Sequence, residues 1–325
     1  MQNNKTITGI IVTYNRKESL GRCLDALLNQ STPLDKILII DNASTDGTEE
    51  YLANKYGYLA SKVNVSNALT LVYEKSKTQI FIYRNYTNGG GSLGFHLGMK
   101  IAFENFATDL YWMMDDDGYP NQECLSQLIS KTDQFDYLMP VSIDLNNHSY
   151  LSWPVRKKKG SKTIYYQELR NSWGDIMEFV TPFNGALLTM KCIKEVGYVN
   201  KDFFIWGDEY DHYWRCKQVG INPVTILDAQ FYHPAQKLPL VKIMFGLTTA
   251  PFVDQKWRMV CLARNYTYIY KHYGQGYKIP LKFIQYTWLF LFTRHGDFAN
   301  WKLYIQSVHD GLKGNFTRHR QYLGK

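Results

Sequence analysis

Leu110-Tyr111-Trp112-Met113-Met114-Asp115-Asp116-Asp117-Gly118-Tyr119-Pro120 decides how the rest of the chain is read. Its apolar half predicts a buried strand over Leu110–Met114, and Gly118 and Pro120 are expected to break it. Adjacent carboxylates repel one another and cannot enter a core unpaired. A cation resolves that cost. Hard oxygen ligands suit Mg²⁺ or Mn²⁺, which keep waters and bind substrate phosphates at the same time. The bland alternative is an acidic turn on a solvated surface. The companions of the stretch weigh against it.

Upstream, Ile7 to Thr13 reads as a buried strand ending in Thr13-Tyr14-Asn15-Arg16. Leu20, Cys23, Leu24, Leu27 and Leu28 then recur at helical spacing. Ile37 to Ile40 is a second strand, ending in Asp41-Asn42, and Ser44, Thr45 or Asp46 can cap the helix after it. Gln79 to Tyr83 is a third. It runs into Arg84-Asn85 and Asn88-Gly89-Gly90-Gly91-Ser92, with a helix expected from about Leu93 to Phe106. This alternation predicts a parallel α/β sheet with helices on both faces. In open α/β sheets the ligand sits beyond the carboxyl ends of the strands. All the strands named so far end in polar, glycine-rich or acidic groups. Each group alone reads equally well as an ordinary loop; a coincidence at every strand end reads as a site. The glycine stretch lacks GxGxxG and GxxxxGK[ST], yet its backbone N–H groups can approach a diphosphate at a helix start.

Downstream, Arg156-Lys157-Lys158-Lys159-Gly160-Ser161-Lys162 is a basic loop, read first as solvated. Pro182-Phe183-Asn184-Gly185-Ala186 precedes an apolar strand, Leu187–Met190. A second acidic cluster follows in Trp206-Gly207-Asp208-Glu209-Tyr210-Asp211, with Asp208 capping a helix to about Val219. Asp211 and Arg215 are spaced for an intrahelical ion pair. A carboxylate near a helix N-terminus is held ionised by the dipole, which suits a general base. Pro223 to Leu227 is a strand leading to His233, a residue type common in Mn²⁺ sites but more often a packed or capping one. Ile279 to Thr293 is strongly apolar but interrupted by Lys282 and Gln285 and too short to span a bilayer. It is expected to be buried or interfacial. Basic neighbours that include Lys302, Arg318 and Arg320 suit an anionic membrane surface.

Composition bounds the partners. Against 29 Asp+Glu the 325-residue chain sets 37 Lys+Arg, a net charge of +8 that favours an anionic partner. Its 5 cysteines form no CxxC pair, so neither a zinc site nor a disulfide framework is indicated. The polar N-terminus lacks a signal-peptide core, which makes a cytoplasmic location, with peripheral attachment to the membrane's inner face, the expectation. A basic, aromatic-rich binding protein is one alternative, but two acidic clusters would repel nucleic-acid phosphates, so no nucleic acid is expected. A nucleotidyltransferase is another; it would usually place a glycine-rich loop after the first strand, where Tyr14-Asn15-Arg16 has none.

Thr13-Tyr14-Asn15-Arg16, Asp41-Asn42, the Asn88 glycine loop, Asp115-Asp116-Asp117 and the Asp208-Glu209-x-Asp211 block ending at Arg215 resemble the inverting family 2 glycosyltransferases of GT-A fold. The triple Asp, the Trp-containing acidic block, His233 and Arg264-Asn265 are most similar to bacterial galactofuranosyl- and rhamnosyltransferases. The resemblance covers roughly Ile7 to His233 and is looser beyond. It implies a mixed GT-A sheet in residues 1–235, with a nucleotide-binding half to about 120 and an acceptor half over 121–235, and a C-terminal helical region over 236–325. It implies donor contacts from Thr13, Tyr14, Asn15, Arg16, Asp41, Asn42, Asn88, Gly89, Gly90, Asp115 and Asp116. Asp115, Asp117 and His233 would hold Mn²⁺ or Mg²⁺, and Trp206, Asp208, Asn184 and Gly185 would face the acceptor. Glu209 takes the catalytic base position, with Asp208 adjoining it. The implied donor is a UDP-sugar, UDP-galactofuranose first, with a rhamnosyl or other UDP- or dTDP-hexose donor as the alternative. The implied acceptor is a glycan or lipid-linked saccharide of the bacterial cell surface. A homo-oligomer is compatible with the pattern.

Overall fold

The computed structural model describes residues 5–57, 69–72, 77–179, 184–235 and 239–324. Pro182 and Phe183, and the expected boundary at 236, lie outside them. The chain falls into two compact units: residues 1–201 with 215–236, and residues 202–214 with 237–325.

In the first unit the chain runs β1 (Ile7–Thr13), α1 (Lys17–Leu28), β2 (Lys36–Asp41), α2 (Thr48–Tyr56), β3 (Leu69–Val72), β4 (Gln79–Arg84), α3 (Gly90–Phe106) and β5 (Leu110–Asp115). It continues through β6 (Tyr119–Pro120), α4 (Cys124–Ile129), β7 (Tyr137–Asp144), β8 (Tyr150–Arg156), β9 (Lys162–Tyr165), α5 (Tyr166–Trp173), β10 (Ile176–Met177), β11 (Asn184–Thr189) and α6 (Met190–Val196). Helix α7 (Asp208–Gln218) contains a boundary between the units, and β12 (Val224–His233) follows it.

Among the described residues the main sheet has the order β10-β12-β7-β11-β5-β1-β2-β4-β3. The block β5-β1-β2-β4 is parallel, as strand–helix alternation demands. Beyond it the sheet turns mixed: β11 lies antiparallel to β5 and to β7, and β3 is an antiparallel edge. The parallel pattern read from the first half of the chain is therefore only part of the sheet. Alternation cannot reveal antiparallel strands added from remote segments.

The core explains the parallel block. Ile7, Ile11, Leu20, Leu24, Leu27, Ile37, Ile39 and Trp112 are buried together, so the apolar stripe of α1 closes one sheet face. Helix α3 approaches the sheet through glycines. A Cβ at Gly94 would stand 2.5 Å from Val12 Cγ1, and one at Gly98 would stand 2.4 Å from Ile10 Cγ2. The helix begins at Gly90 rather than near Leu93, so the glycines form its first turn instead of a loop before it.

The strand ends before Gly118 and Pro120, as the sequence predicts, and Tyr119–Pro120 in addition pairs with β12, placing Tyr119 opposite Tyr232 and Pro120 opposite Phe231. Gly118 makes this possible, because a Cβ there would stand 2.5 Å from Phe231 Cε1 and 2.6 Å from the Tyr232 carbonyl oxygen. The pairing carries the end of β12, and His233 with it, to the acidic stretch.

The second unit holds a hairpin of β13 (Leu240–Ile243) and β14 (Thr248–Pro251), then α8 (Lys256–His272), α9 (Lys278–Trp288), a π-helical turn Leu289–Thr293, and α10 (Phe298–Lys313). Ile243, Phe252, Met259, Leu289, Phe290 and Tyr304 form its core. Among the described residues no helix is long and apolar enough to cross a membrane.

Candidate active site

The site in the first unit is built where β1, β2, β5 and β12 end. Thr13 closes β1 and donates its hydroxyl hydrogen bond to Asp116 Oδ2 at 2.6 Å. Arg16, at the entry to α1, sets Nη1 3.0 Å from Asp116 Oδ1 and 2.9 Å from Asp117 Oδ2. Parallel pairing aligns Val12 with Asp115, so the acids emerge beside Thr13. Burial pushes the Asp116 carboxyl up to about 6, against the opposing pull of Thr13 and Arg16. Asp117 is also raised by burial, but the His233 ring, when it carries a proton on Nε2, and Arg16 outweigh this and hold it below its usual value.

His233 decides whether these residues fit a metal. It is buried, with Nδ1 2.7 Å from the Pro234 carbonyl oxygen. A neutral imidazole must therefore keep its proton on Nδ1 and turn the Nε2 lone pair elsewhere. Nε2 lies 3.2 Å from Asp117 Oδ1, a buried carboxylate oxygen that makes no hydrogen bond. Two acceptors facing at that distance need a positive charge shared between them, either a proton or a metal ion. Imidazole fixed by a carbonyl through its other nitrogen is the usual state of a metal ligand. The residues thus fit a hard divalent cation with few protein ligands, leaving positions for phosphate oxygens. Among the described residues no group of three His, Cys, Asp or Glu side chains is arranged to hold a metal ion, so the structure itself brings together only the Asp117–His233 pair.

Around this centre the strand-end loops are stitched together. Asn15 adopts a left-handed φ of 54°, its N–H donates to Ser44 Oγ, and its Oδ1 accepts from Thr45 N. Asp41 is buried and accepts from Ser44 N at 2.8 Å, with Arg84 Nε 3.8 Å from its other oxygen. Asn42 ties the glycine turn in: its Nδ2 donates to the Gly90 carbonyl and its Oδ1 accepts from Asn85. Asn88 accepts from the Gly90 N–H through its side chain. Gly89 and the first turn of α3 follow directly, with no acid in that turn. Tyr14 is partly exposed beside Asn15. A small pocket next to this network is lined by Ile39, Asp41, Thr48, Glu49, Leu52, Ile82 and Arg84.

Asn184 starts β11 opposite Met114, next to the end of β5. Gly185 forms a bulge there, with φ of 86°, and its carbonyl accepts from Trp112 Nε1 at 2.9 Å. Bulges of this kind re-aim side chains beside active sites.

Trp206, Asp208 and Glu209 belong to the second unit. The loop before α7 is bent through left-handed residues Phe204, Trp206 and Gly207. Asn265 holds it open: its Nδ2 donates to the carbonyls of Phe203, Ile205 and Trp206. Arg264, fully buried, donates to the Phe203 carbonyl, to the Phe316 carbonyl and to His319 Nδ1. At the start of α7 Asp208 is buried, whereas Glu209 is half-buried and accepts from the Gly207 N–H at 3.0 Å. Tyr210 is pushed up to about 12 by burial and by Glu209. Tyr266 is raised in the same way, with Glu209 and Asp208 both contributing after burial. Tyr273 donates to Asp211 at 2.6 Å. Reading from sequence missed Tyr266, Tyr273 and His319. Arg264 left a local trace, a cation amid the apolar positions of α8; His319 left none.

Parallel strands ending in polar loops, with carboxylates beside them, fit the GT-A fold of glycosyltransferases. The Glycosyl transferase family 2 profile matches residues 8–196, and the chain belongs to that family. This displaces the nucleotidyltransferase and non-enzymatic alternatives. The chain is 26% identical over 329 residues to the galactofuranosyltransferase GlfT1 of Mycolicibacterium smegmatis, covering 98% of this chain and 100% of that one. It superposes on a Pyrobaculum calidifontis mannosyltransferase solved with GDP-Man and Mn²⁺ with a TM-score of 0.54, at 11% identity, over 99% of this chain and 79% of the other. With GalNAc-T7, solved with UDP, GalNAc and Mn²⁺, the TM-score is 0.55 at 12% identity over 83% of this chain; the match spans 48% of that longer protein.

Proposed function

We propose that this enzyme moves galactofuranose from its UDP donor to a hydroxyl of a glycan or lipid-linked acceptor in cell-surface polysaccharide synthesis, with inversion at the anomeric carbon. The full-length likeness to galactofuranosyltransferases supports the sugar. The observation that carries the chemistry is Asp117 Oδ1 facing His233 Nε2 at 3.2 Å, a pair suited to a divalent cation. Asp115, Asp117 and His233 are assigned as the ligands of Mn²⁺ or Mg²⁺, which when bound offsets the charge of a departing diphosphate.

The chain's own residues do the rest. Asp41, Asn42 and Asn15 preorganise the loops that receive the nucleoside, with Tyr14 beside them and Thr13 and Arg16 orienting Asp116. Asn88, Gly89 and Gly90 are assigned to the diphosphate at this helix start, with the Gly90 N–H held by Asn88 Oδ1 so that Gly90 shapes the turn. Trp206, Asp208, Asn184 and Gly185 are assigned to the acceptor. Glu209 removes the proton of the acceptor hydroxyl. Its greater exposure, compared with buried Asp208, favours it as the base. A single base suffices because the leaving diphosphate needs a cation rather than a proton.

Product analysis with UDP-galactofuranose, dTDP-rhamnose and other nucleotide sugars, with Mn²⁺ and with excess EDTA, tests the assignment. Transfer from UDP-galactofuranose that stops in EDTA is expected. Full turnover in EDTA would remove the metal from the scheme, and selective use of dTDP-rhamnose would replace the sugar.

A further inference from the structure

The second unit carries a surface that the transfer chemistry does not use. Phe245 is 93% exposed and Leu247 87% exposed, both in the turn between β13 and β14. Met244, Phe245 and Gly246 take left-handed φ values of 51°, 58° and 87° in succession. That conformation is costly for Met and Phe. Strain of this kind persists where the position serves a purpose other than folding.

The turn is not isolated. The Phe245 ring meets the edge of Trp288 at 5.3 Å, and Trp288 packs on Phe292 at 4.6 Å. Helix α9 extends the strip: Leu281 and Ile284, three residues apart, and then Trp288 one turn later share a face. Leu281, Ile284 and Phe292 are each more than half exposed. The opposite side of the same segment, through Tyr286, Leu289 and Phe290, fills the unit's core. Core packing, which Ile279, Phe283 and Trp288 also join, explains most of this segment and leaves Leu281, Ile284 and Phe292 without a reason.

Charge identifies the occupant. The second unit, residues 202–214 with 237–325, contains 14 Lys+Arg against 7 Asp+Glu, a net charge of +7, while the rest of the chain is nearly neutral at +1. Lys242 lies exposed on β13, two residues before the turn begins. Lys278 and Lys282 open α9, whose first turn contains no acid. Arg294, after the π-helical turn, is already ion-paired with Asp297, so the lysines carry the surface charge. A second copy of the chain would bring two such cationic units together, and their repulsion opposes that interface. A bilayer surface with anionic headgroups accepts both components: apolar tips enter the acyl boundary while lysine stems keep their ammonium groups at headgroup level.

We propose that the β13–β14 turn and the outer face of α9 form an insertion surface for an anionic lipid bilayer, with Phe245 and Leu247 as its wedge. The test uses the full chain with vesicles of phosphatidylcholine alone and of phosphatidylcholine mixed with phosphatidylglycerol, at low and high salt. Binding confined to the anionic vesicles and weakened by salt is expected. Partitioning of the F245S/L247S double variant should fall by about tenfold or more, since two apolar side chains no longer enter the membrane. Both positions project into solvent, so the variant's melting temperature and UDP binding should match the wild type and report an intact fold. Absence of binding to anionic vesicles, or equal partitioning of the double variant, overturns the proposal. So does a self-associated wild type that the double variant converts to monomer, because a second copy would then own the surface. None of these readouts depends on which sugar the enzyme transfers.

Discussion

His319 is expected to make the second unit acid-sensitive. It is buried, and its Nδ1 must accept the hydrogen bond that Arg264 donates at 2.9 Å, so the ring has to stay neutral there. Burial first, then the charges of Arg264 and Arg320, lower its value from 6.5 to about 4. Below pH 6.5 the unfolded chain binds a proton at this ring that the folded chain refuses until pH nears 4. Protons therefore favour unfolding across that window: the contribution is intact above pH 6.5 and disappears as pH falls toward 4. At about 1.4 kcal/mol per unit the total is about 3 kcal/mol, of which about 2 kcal/mol is lost by pH 5. His319→Asn can place an amide oxygen near the Nδ1 position and accept from Arg264 without titrating. Urea unfolding of wild type and variant at pH 7 and pH 5 measures the difference. The variant should lose about 2 kcal/mol less stability than wild type between the two pH values. Equal losses would refute the reasoning. Because Arg264 and Asn265 also hold the loop before Glu209, wild-type turnover should fall in the same window even before global unfolding.

Glu209→Gln keeps shape and removes the basic oxygen, so donor affinity should persist while turnover drops roughly 10²–10⁴-fold. Asp208→Asn should lose less turnover; the reverse result in rapid-quench assays would move the base to Asp208. Asp117→Asn should abolish Mn²⁺-dependent UDP binding in calorimetry, because it removes one anionic ligand from a small hard-cation site; unchanged Mn²⁺ dependence would exclude Asp117 as a ligand. Gly118→Ala would force a Cβ within 2.6 Å of the Tyr232 carbonyl oxygen, so thermal unfolding should show a loss of about 1–3 kcal/mol. Mn²⁺ affinity should weaken with it, since the shift separates His233 from Asp117.

The parallel core and the positions of most site residues are determined locally. Apolar runs of strand length, helical spacing in Leu20–Leu28, and polar groups at each strand end are consequences of backbone geometry acting over a few residues. They suffice to place Thr13, Arg16, Asp41, Asn42 and Asp115–Asp117 at the carboxyl ends of neighbouring strands. They do not suffice for β3 or the bulge at Gly185, nor for the strand pairing of Tyr119–Pro120, because those depend on partners remote in sequence. The same holds for function. That His233 faces Asp117 follows from the register of β6 on β12, and a one-residue slip would turn its side chain to the other sheet face. That Arg264 can be buried at all depends on carbonyls from Phe203 and Phe316 and on the His319 ring. A buried guanidinium is tolerated only where such acceptors converge. Local pattern chooses which residues are polar; only tertiary structure supplies the partners that make burying them affordable in water's absence.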